Sequence, residues 1–169
     1  MTLSVLDIIE GTSVDGPGLR TSIYMAGCTH HCVGCHNPQS WNIDNGTPYS
    51  IDALMEVISY NNFPVTLTGG DPFFQVDAAA ELARTIKQEL NLDIWCYTGY
   101  TWEQLVQHDN FIPLLQQIDV VVDGPFVLSK RDISLLFRGS SNQRIIDVPS
   151  SLEKKECILW QAPPNVYDI

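Results

Sequence analysis

Three of the five cysteines fall within eight residues, as Cys28-x3-Cys32-x2-Cys35, while Cys96 and Cys157 stand alone. Thiols this close together bind a metal or oxidise. An odd cysteine count without an export signal argues against a disulfide framework. Two metal chemistries remain open. Zinc would take four ligands in a closed tetrahedral site, and His30, His31 and His36 are near enough in sequence to supply the fourth. An iron–sulfur cluster held by three thiolates alone would keep one iron without a protein ligand. That vacancy is useful where a small molecule must bind the metal directly. Zinc ribbons and fingers show a second ligand pair further along, which the isolated Cys96 and Cys157 do not provide, so the spacing favours the cluster.

The elements around the thiols alternate between short β-rich runs and helical stretches. A strand near 20–26 leads into the cysteine loop, 27–37. Ser50 opens a helix whose Ile51, Leu54, Met55 and Ile58 form one apolar stripe. A buried strand at 64–68 ends in Gly69-Gly70-Asp71-Pro72, and a helix follows from about Asp77 to Leu90. The next strand, 92–97, precedes a capping-box sequence, Thr101 to Gln104, that opens a third helix. A fourth strand, 119–123, is broken by Gly124-Pro125. Strand, glycine-bearing turn and helix in repetition define an α/β chain with a mainly parallel sheet. A closed eight-unit barrel needs ~250 residues, so this chain holds about five βα units in an open sheet or partial barrel. Residues 1–169 are expected to form a single domain, with an irregular tail from about residue 162. In such folds ligands gather at the carboxyl ends of the strands, where the cysteine loop, Gly69-Gly70-Asp71 and Asp123-Gly124 all lie.

Composition removes other classes. Twenty acidic against nine basic residues give a formal net charge of −11, too acidic for phosphate-led nucleic-acid binding. No apolar run reaches the ~18 residues of a membrane span. The N-terminal Met1 to Asp7 has neither the basic start nor the apolar core of a signal peptide, so a cytoplasmic location is expected.

Several segments together carry a family resemblance. The cysteine triplet, with Gly69-Gly70-Asp71-Pro72 after it, resembles the radical S-adenosylmethionine (SAM) superfamily. Asp15-Gly16-Pro17-Gly18-Leu19-Arg20, Gly27-Cys28, Cys35-His36-Asn37 and Ser40-Trp41 narrow the likeness to the activating enzymes of glycyl-radical enzymes. Tyr97-Thr98-Gly99-Tyr100, Val122-Asp123-Gly124 and Arg138-Gly139-Ser140-Ser141-Asn142-Gln143 are most similar to the branch that serves anaerobic ribonucleotide reductase. The likeness runs from about Asp15 to Gln143. His36 and Asp15 resemble instead the activators of pyruvate formate-lyase, which leaves another glycyl-radical enzyme as the alternative partner. A zinc-binding recognition module is the alternative from a different class. A radical SAM enzyme of deazapurine synthesis is disfavoured by the segment from Arg138 to Gln143.

The resemblance implies an oxidoreductase built as a shortened radical SAM partial (βα) barrel. Cys28, Cys32 and Cys35 would hold one [4Fe–4S] cluster whose open iron takes SAM. One electron from a low-potential donor would split SAM into methionine and a 5′-deoxyadenosyl radical, which takes a hydrogen atom from a glycine α-carbon of the partner. Gly34, Cys35 and His36 correspond to a SAM-contacting segment. Gly69 and Gly70 would let backbone approach the ligand, and Asp71 would receive the methionine ammonium. Asp123 either reaches the SAM ribose or is a turn aspartate. His30 and His31 are either groups tuning the cluster or solvated loop residues. Lys130, Arg131, Arg138 and Arg144 form a solvated face, a docking surface or a counter-charge near SAM. Cys96, inside a strand, is expected to be a buried apolar residue. Cofactors would carry the hard chemistry, so no general acid or base is required.

Overall fold

A computed structural model describes residues 1–164; residues 165–169, within the expected irregular tail, lie outside the described part. The strands are β1 (Thr2–Thr12), β2 (Arg20–Met25), β3 (Thr47–Ser50), β4 (Val65–Gly69), β5 (Ile94–Tyr97), β6 (Val120–Asp123) and β7 (Arg144–Asp147). The helices are α1 (Ile51–Asn61), α2 (Val76–Glu89), α3 (Trp102–Leu105), α4 (Ile112–Leu115) and α5 (Val148–Lys154). All seven strands form one sheet in the order β3-β1-β2-β4-β5-β6-β7.

The centre of the sheet is parallel: β2 pairs with β4, β4 with β5, and β5 with β6. Its flanks are antiparallel, with β1 between β2 and β3 on one side and β7 beside β6 on the other. The expected count of about five βα units is therefore corrected to four parallel strands with antiparallel borders. The loop joining β1 to β2, residues 13–19, is shorter than the dozen or so residues a parallel crossover needs, which dictates the antiparallel return.

Alternation along the strands builds the core on one face. Ile23 and Met25 of β2, Val65 and Leu67 of β4, Ile94 and Cys96 of β5, and Val121 of β6 all turn the same way. Leu54 and Ile58 of α1 and Leu82 and Ile86 of α2 close over them. Burying each such side chain contributes roughly 1.5–3 kcal/mol. Cys96 is wholly buried there, as expected. The opposite face carries a smaller cluster in which Trp95 packs edge-on to Phe137 and Trp160, at 5.3 and 5.0 Å between ring centroids.

Helix starts follow local chemistry. Ser50 Oγ caps α1 by accepting from Ala53 N at 3.1 Å, and Asn62 ends the helix in a left-handed conformation. Thr101 and Gln104 form the expected reciprocal capping box of α3. That third helix is shorter than its pattern suggests: it stops at Leu105, and the chain resumes helical form only at α4.

Beneath the far face, Arg20 is buried to 1% exposure. Its guanidinium donates to Thr66 Oγ1 at 2.8 Å, Val65 O at 2.9 Å, Pro17 O at 3.2 Å and Asp93 Oδ2 at 2.8 Å. Burial pulls its pKa down and Asp93 opposes that pull. One side chain thus fastens the Asp15–Arg20 segment to β4, which a shorter or single-donor base could not do.

Candidate active site

The cysteine loop leaves β2 at its carboxyl end and is closed by backbone hydrogen bonds on both sides. Gly27 N donates to Ser40 O at 2.6 Å and Cys28 N to Trp41 O at 3.2 Å. Inside the loop, Cys35 N donates to Cys32 O at 3.1 Å. The Asn37 amide donates to the Cys35 sulfur at 3.4 Å. All three thiols are free and half-buried. Burial pushes the Cys28 thiol up, and the backbone amides of His30 and His31 pull against that push.

The double glycine after β4 meets this loop backbone to backbone. Gly69 has φ +102°, and a β-carbon there would stand 2.3 Å from Met25 N. A β-carbon on Gly70 would stand 2.4 Å from Gly27 O. Gly70 N donates to Met25 O at 2.7 Å and Asp71 N to Gly27 O at 2.8 Å. The protein's own backbone contacts thus require glycine at both positions.

These segments enclose a cavity of about 310 Å³ at the carboxyl ends of the parallel strands. Cys28, Cys32 and Cys35 line it with Gly69, Gly70 and Gly99. His36 also lines it, and its ring packs 5.1 Å from that of Phe126. Gly34 is turned elsewhere: at φ +78°, its β-carbon position faces Leu128 at 2.9 Å. Among the described residues no three His, Cys, Asp or Glu side chains converge as ligands of one ion would. Thiolates on a single zinc stand roughly 3.8 Å apart in a tetrahedron. A cluster binds each thiolate to a different iron, and all three cysteines line the one cavity.

Two of the expected ligand residues, Asp71 and Asp123, also make close contacts within the protein. Asp71 is 1% exposed, and the cavity lining does not include it. Its Oδ1 accepts from Phe73 N at 3.0 Å, and its Oδ2 from Thr98 Oγ1 at 2.8 Å and Gly99 N at 3.0 Å. Asp123 is also 1% exposed. It caps α3 by accepting from Trp102 N at 2.8 Å and meets Arg144 through Nη2 at 2.6 Å. Both carboxylates thus accept from protein donors, because each sits where several strand ends converge.

The histidines are likewise held. His30 Nε2 lies 2.7 Å from Asp71 Oδ2, so His30 is a clamped residue rather than a solvated one. His31 stacks on Trp41 with centroids 4.4 Å apart. Of the basic group, Lys130 and Arg131 are exposed, whereas Arg144 bridges Asp123 and Glu103. Arg138 donates to Gln143 O at 3.1 Å, which folds residues 138–143 back on themselves.

Sequence reasoning missed Tyr24, Tyr97 and Gln143, all of which line the cavity. Tyr24 donates to Asp15 Oδ2 at 2.5 Å, and burial pushes its phenol well above the ordinary range. Tyr97 donates to Phe137 O at 2.9 Å. The signal was available in the alternation of β2 and β5, which turns both tyrosines away from the helix-covered face.

Residues 14–146 match the family described as a 4Fe-4S single cluster domain, which fixes the class of protein. An anaerobic ribonucleoside-triphosphate reductase-activating protein from Vibrio cholerae is 36% identical over 78% of this chain and 90% of its own. Those of Pasteurella multocida and Escherichia coli K12 are 38% and 35% identical, over 78% and 77% of this chain and 89% of theirs. The chain belongs to the anaerobic ribonucleoside-triphosphate reductase-activating protein family.

Proposed function

We propose that this protein is a radical SAM oxidoreductase that activates an anaerobic ribonucleoside-triphosphate reductase by placing a glycyl radical on it. Cys28, Cys32 and Cys35 would hold one [4Fe–4S] cluster, leaving an iron for SAM. When bound, these groups supply the electron transfer and carbon–sulfur cleavage that yield a 5′-deoxyadenosyl radical for abstraction of a glycine hydrogen. The observation that carries this reading is one cavity shared by three free thiols and the Gly69-Gly70 turn.

The chain's own residues then bind, orient and exclude water. Cys35 and His36, with Gly69 and Gly70, form the wall against which SAM would rest. Gly34 serves by letting the loop turn beside Leu128. Asp71 and Asp123 hold the strand ends that shape the cavity. Among the described residues that line the cavity there is no Lys or Arg. No described helix is long and apolar enough to cross a membrane, and we place the activity in the cytoplasm with a low-potential electron donor.

Anaerobically reconstituted protein given dithionite and SAM should release 5′-deoxyadenosine. With the reductase present, a glycyl radical signal should appear in its electron paramagnetic resonance (EPR) spectrum. Cluster-loaded protein that leaves SAM intact would refute the reading.

A further inference from the structure

The cavity is bordered by aliphatic side chains that face solvent, and they come from three separate loops. Val14, exposed in the loop between β1 and β2, precedes Asp15, which lines the cavity. Val33 is 78% exposed although Cys32 and Cys35, which flank it, line the cavity. Leu128, also exposed, lies just past the lining residue Phe126, and its Cδ1 stands 2.9 Å from the β-carbon position of Gly34. Further along the same segment, Ile133 is 90% exposed. Single exposed aliphatics are ordinary, but a set of them on separate loops beside one cavity marks an interaction surface.

The segment that carries Leu128 and Ile133 is also held in place without a partner. Ser141 N donates to Lys130 O at 2.9 Å, and Ser140 Oγ accepts from Val127 N at 3.2 Å. Tyr97 of β5 ties down its far side through Phe137 O. Little ordering cost therefore remains to be met on docking. Lys130 and Arg131, between Leu128 and Ile133 in the chain, are exposed and form no ion pair among the described residues. Asp132 beside them accepts from Ser134 N at 2.9 Å. In a chain of net charge −11, two unpaired bases on this segment favour a partner that brings a carboxylate. A small molecule inside a cavity of about 310 Å³ leaves side chains this exposed in water, whereas a polypeptide laid across the mouth covers them.

We infer that this rim is the docking surface for the glycine-bearing segment of the reductase. The segment covers Val14, Val33, Leu128 and Ile133 with aliphatic side chains and sets a carboxylate against Lys130 and Arg131. The inference rests on the proposed function for its partner and adds the surface that receives it.

Isothermal titration calorimetry under anaerobic conditions, with reconstituted protein and its cognate anaerobic ribonucleoside-triphosphate reductase, tests this at low and high salt. Each variant is first checked for native circular dichroism and iron content. Ile133→Asp and Val14→Asp should each weaken binding about tenfold or more, and Ile133→Leu should restore it. Lys130→Glu combined with Arg131→Glu should weaken binding about tenfold at low salt, a loss that shrinks at high salt. Tyr60→Asp is the control and should bind like wild type. Tyr60 is exposed near the end of α1, which leads into the amino end of β4, away from the cavity. Folded Ile133→Asp that binds like wild type overturns the inference, and this variant decides alone should Val14→Asp fail to fold. An equal loss in Tyr60→Asp, or wild type that binds no reductase, overturns it too. If the variants respond as stated while wild type leaves SAM intact, the docking surface stands and the proposed function falls. If wild type cleaves SAM and forms the glycyl radical while the rim variants bind unchanged, the docking surface falls alone.

Discussion

The β-carbon position of Gly70 lies 2.4 Å from the carbonyl oxygen of Gly27, so the end of β4 and the start of the cysteine loop touch backbone to backbone. Both neighbours at that contact are main chain, which cannot swing aside as a side-chain tip can. The thiols are thus positioned by the carboxyl end of a central strand rather than by the loop alone.

Gly70→Ala should consequently displace the loop. The expected cost is about 1–3 kcal/mol of stability, as for overpacking elsewhere. Iron content after anaerobic reconstitution should fall by more than the stability loss explains. Urea unfolding and iron analysis on the same samples check this.

Asp123 is a buried anchor between β6, α3 and β7. Arg144→Met leaves its carboxylate without a counter-charge. It should destabilise the fold by roughly 3 kcal/mol, the low end for breaking a buried pair, because the guanidinium is partly exposed. Arg144→Lys should recover only part of this, since an ammonium cannot span Asp123 and Glu103 together. Urea melts measure both, and SAM affinity of the folded fraction should stay within a few fold.

Glu103 sits at the outer end of the same bridge, and its hydrogen bond to Arg144 holds its pKa below the ordinary 4.5. A lowered folded-state pKa means that its stabilisation is complete above about pH 4.5 and disappears as pH falls through the folded value. The carboxylate is largely exposed, so Glu103→Gln should cost at most about 1 kcal/mol at neutral pH. The gap from wild type should close at acid pH in paired urea melts.

The sequence made the parallel centre legible because β2, β4, β5 and β6 are short apolar runs followed by glycine-bearing turns. It concealed β1. That strand's register shifts between Val5 and Asp7 and again between Glu10 and Thr12, and each irregularity resets the alternation that marks a strand. The thiols and Gly69-Gly70 were legible because their chemistry is local. The fates of Asp71 and Asp123 were not, because their partners, Thr98 and Arg144, lie 27 and 21 residues away. A spacing rule sees a carboxylate beside a turn; only the folded chain supplies its donors.

Cys96 provides a contrast to the loop thiols. It is fully buried, and burial raises its pKa well above the ordinary value. Iodoacetamide treatment of native metal-free protein should modify Cys28, Cys32 and Cys35 while sparing Cys96. Peptide mass spectrometry before and after urea unfolding should place Cys96 labelling only in the second sample.

The central claim is that three thiolates of one loop hold a four-iron cluster with one iron left to a small molecule. Mössbauer spectroscopy of 57Fe-reconstituted protein under anaerobic conditions, with and without SAM, tests it most directly. The account predicts four irons per chain, one of which changes its spectrum when SAM is added, and loss of the cluster in Cys32→Ala. Four irons that all ignore SAM, or a single tightly held zinc in their place, would contradict it.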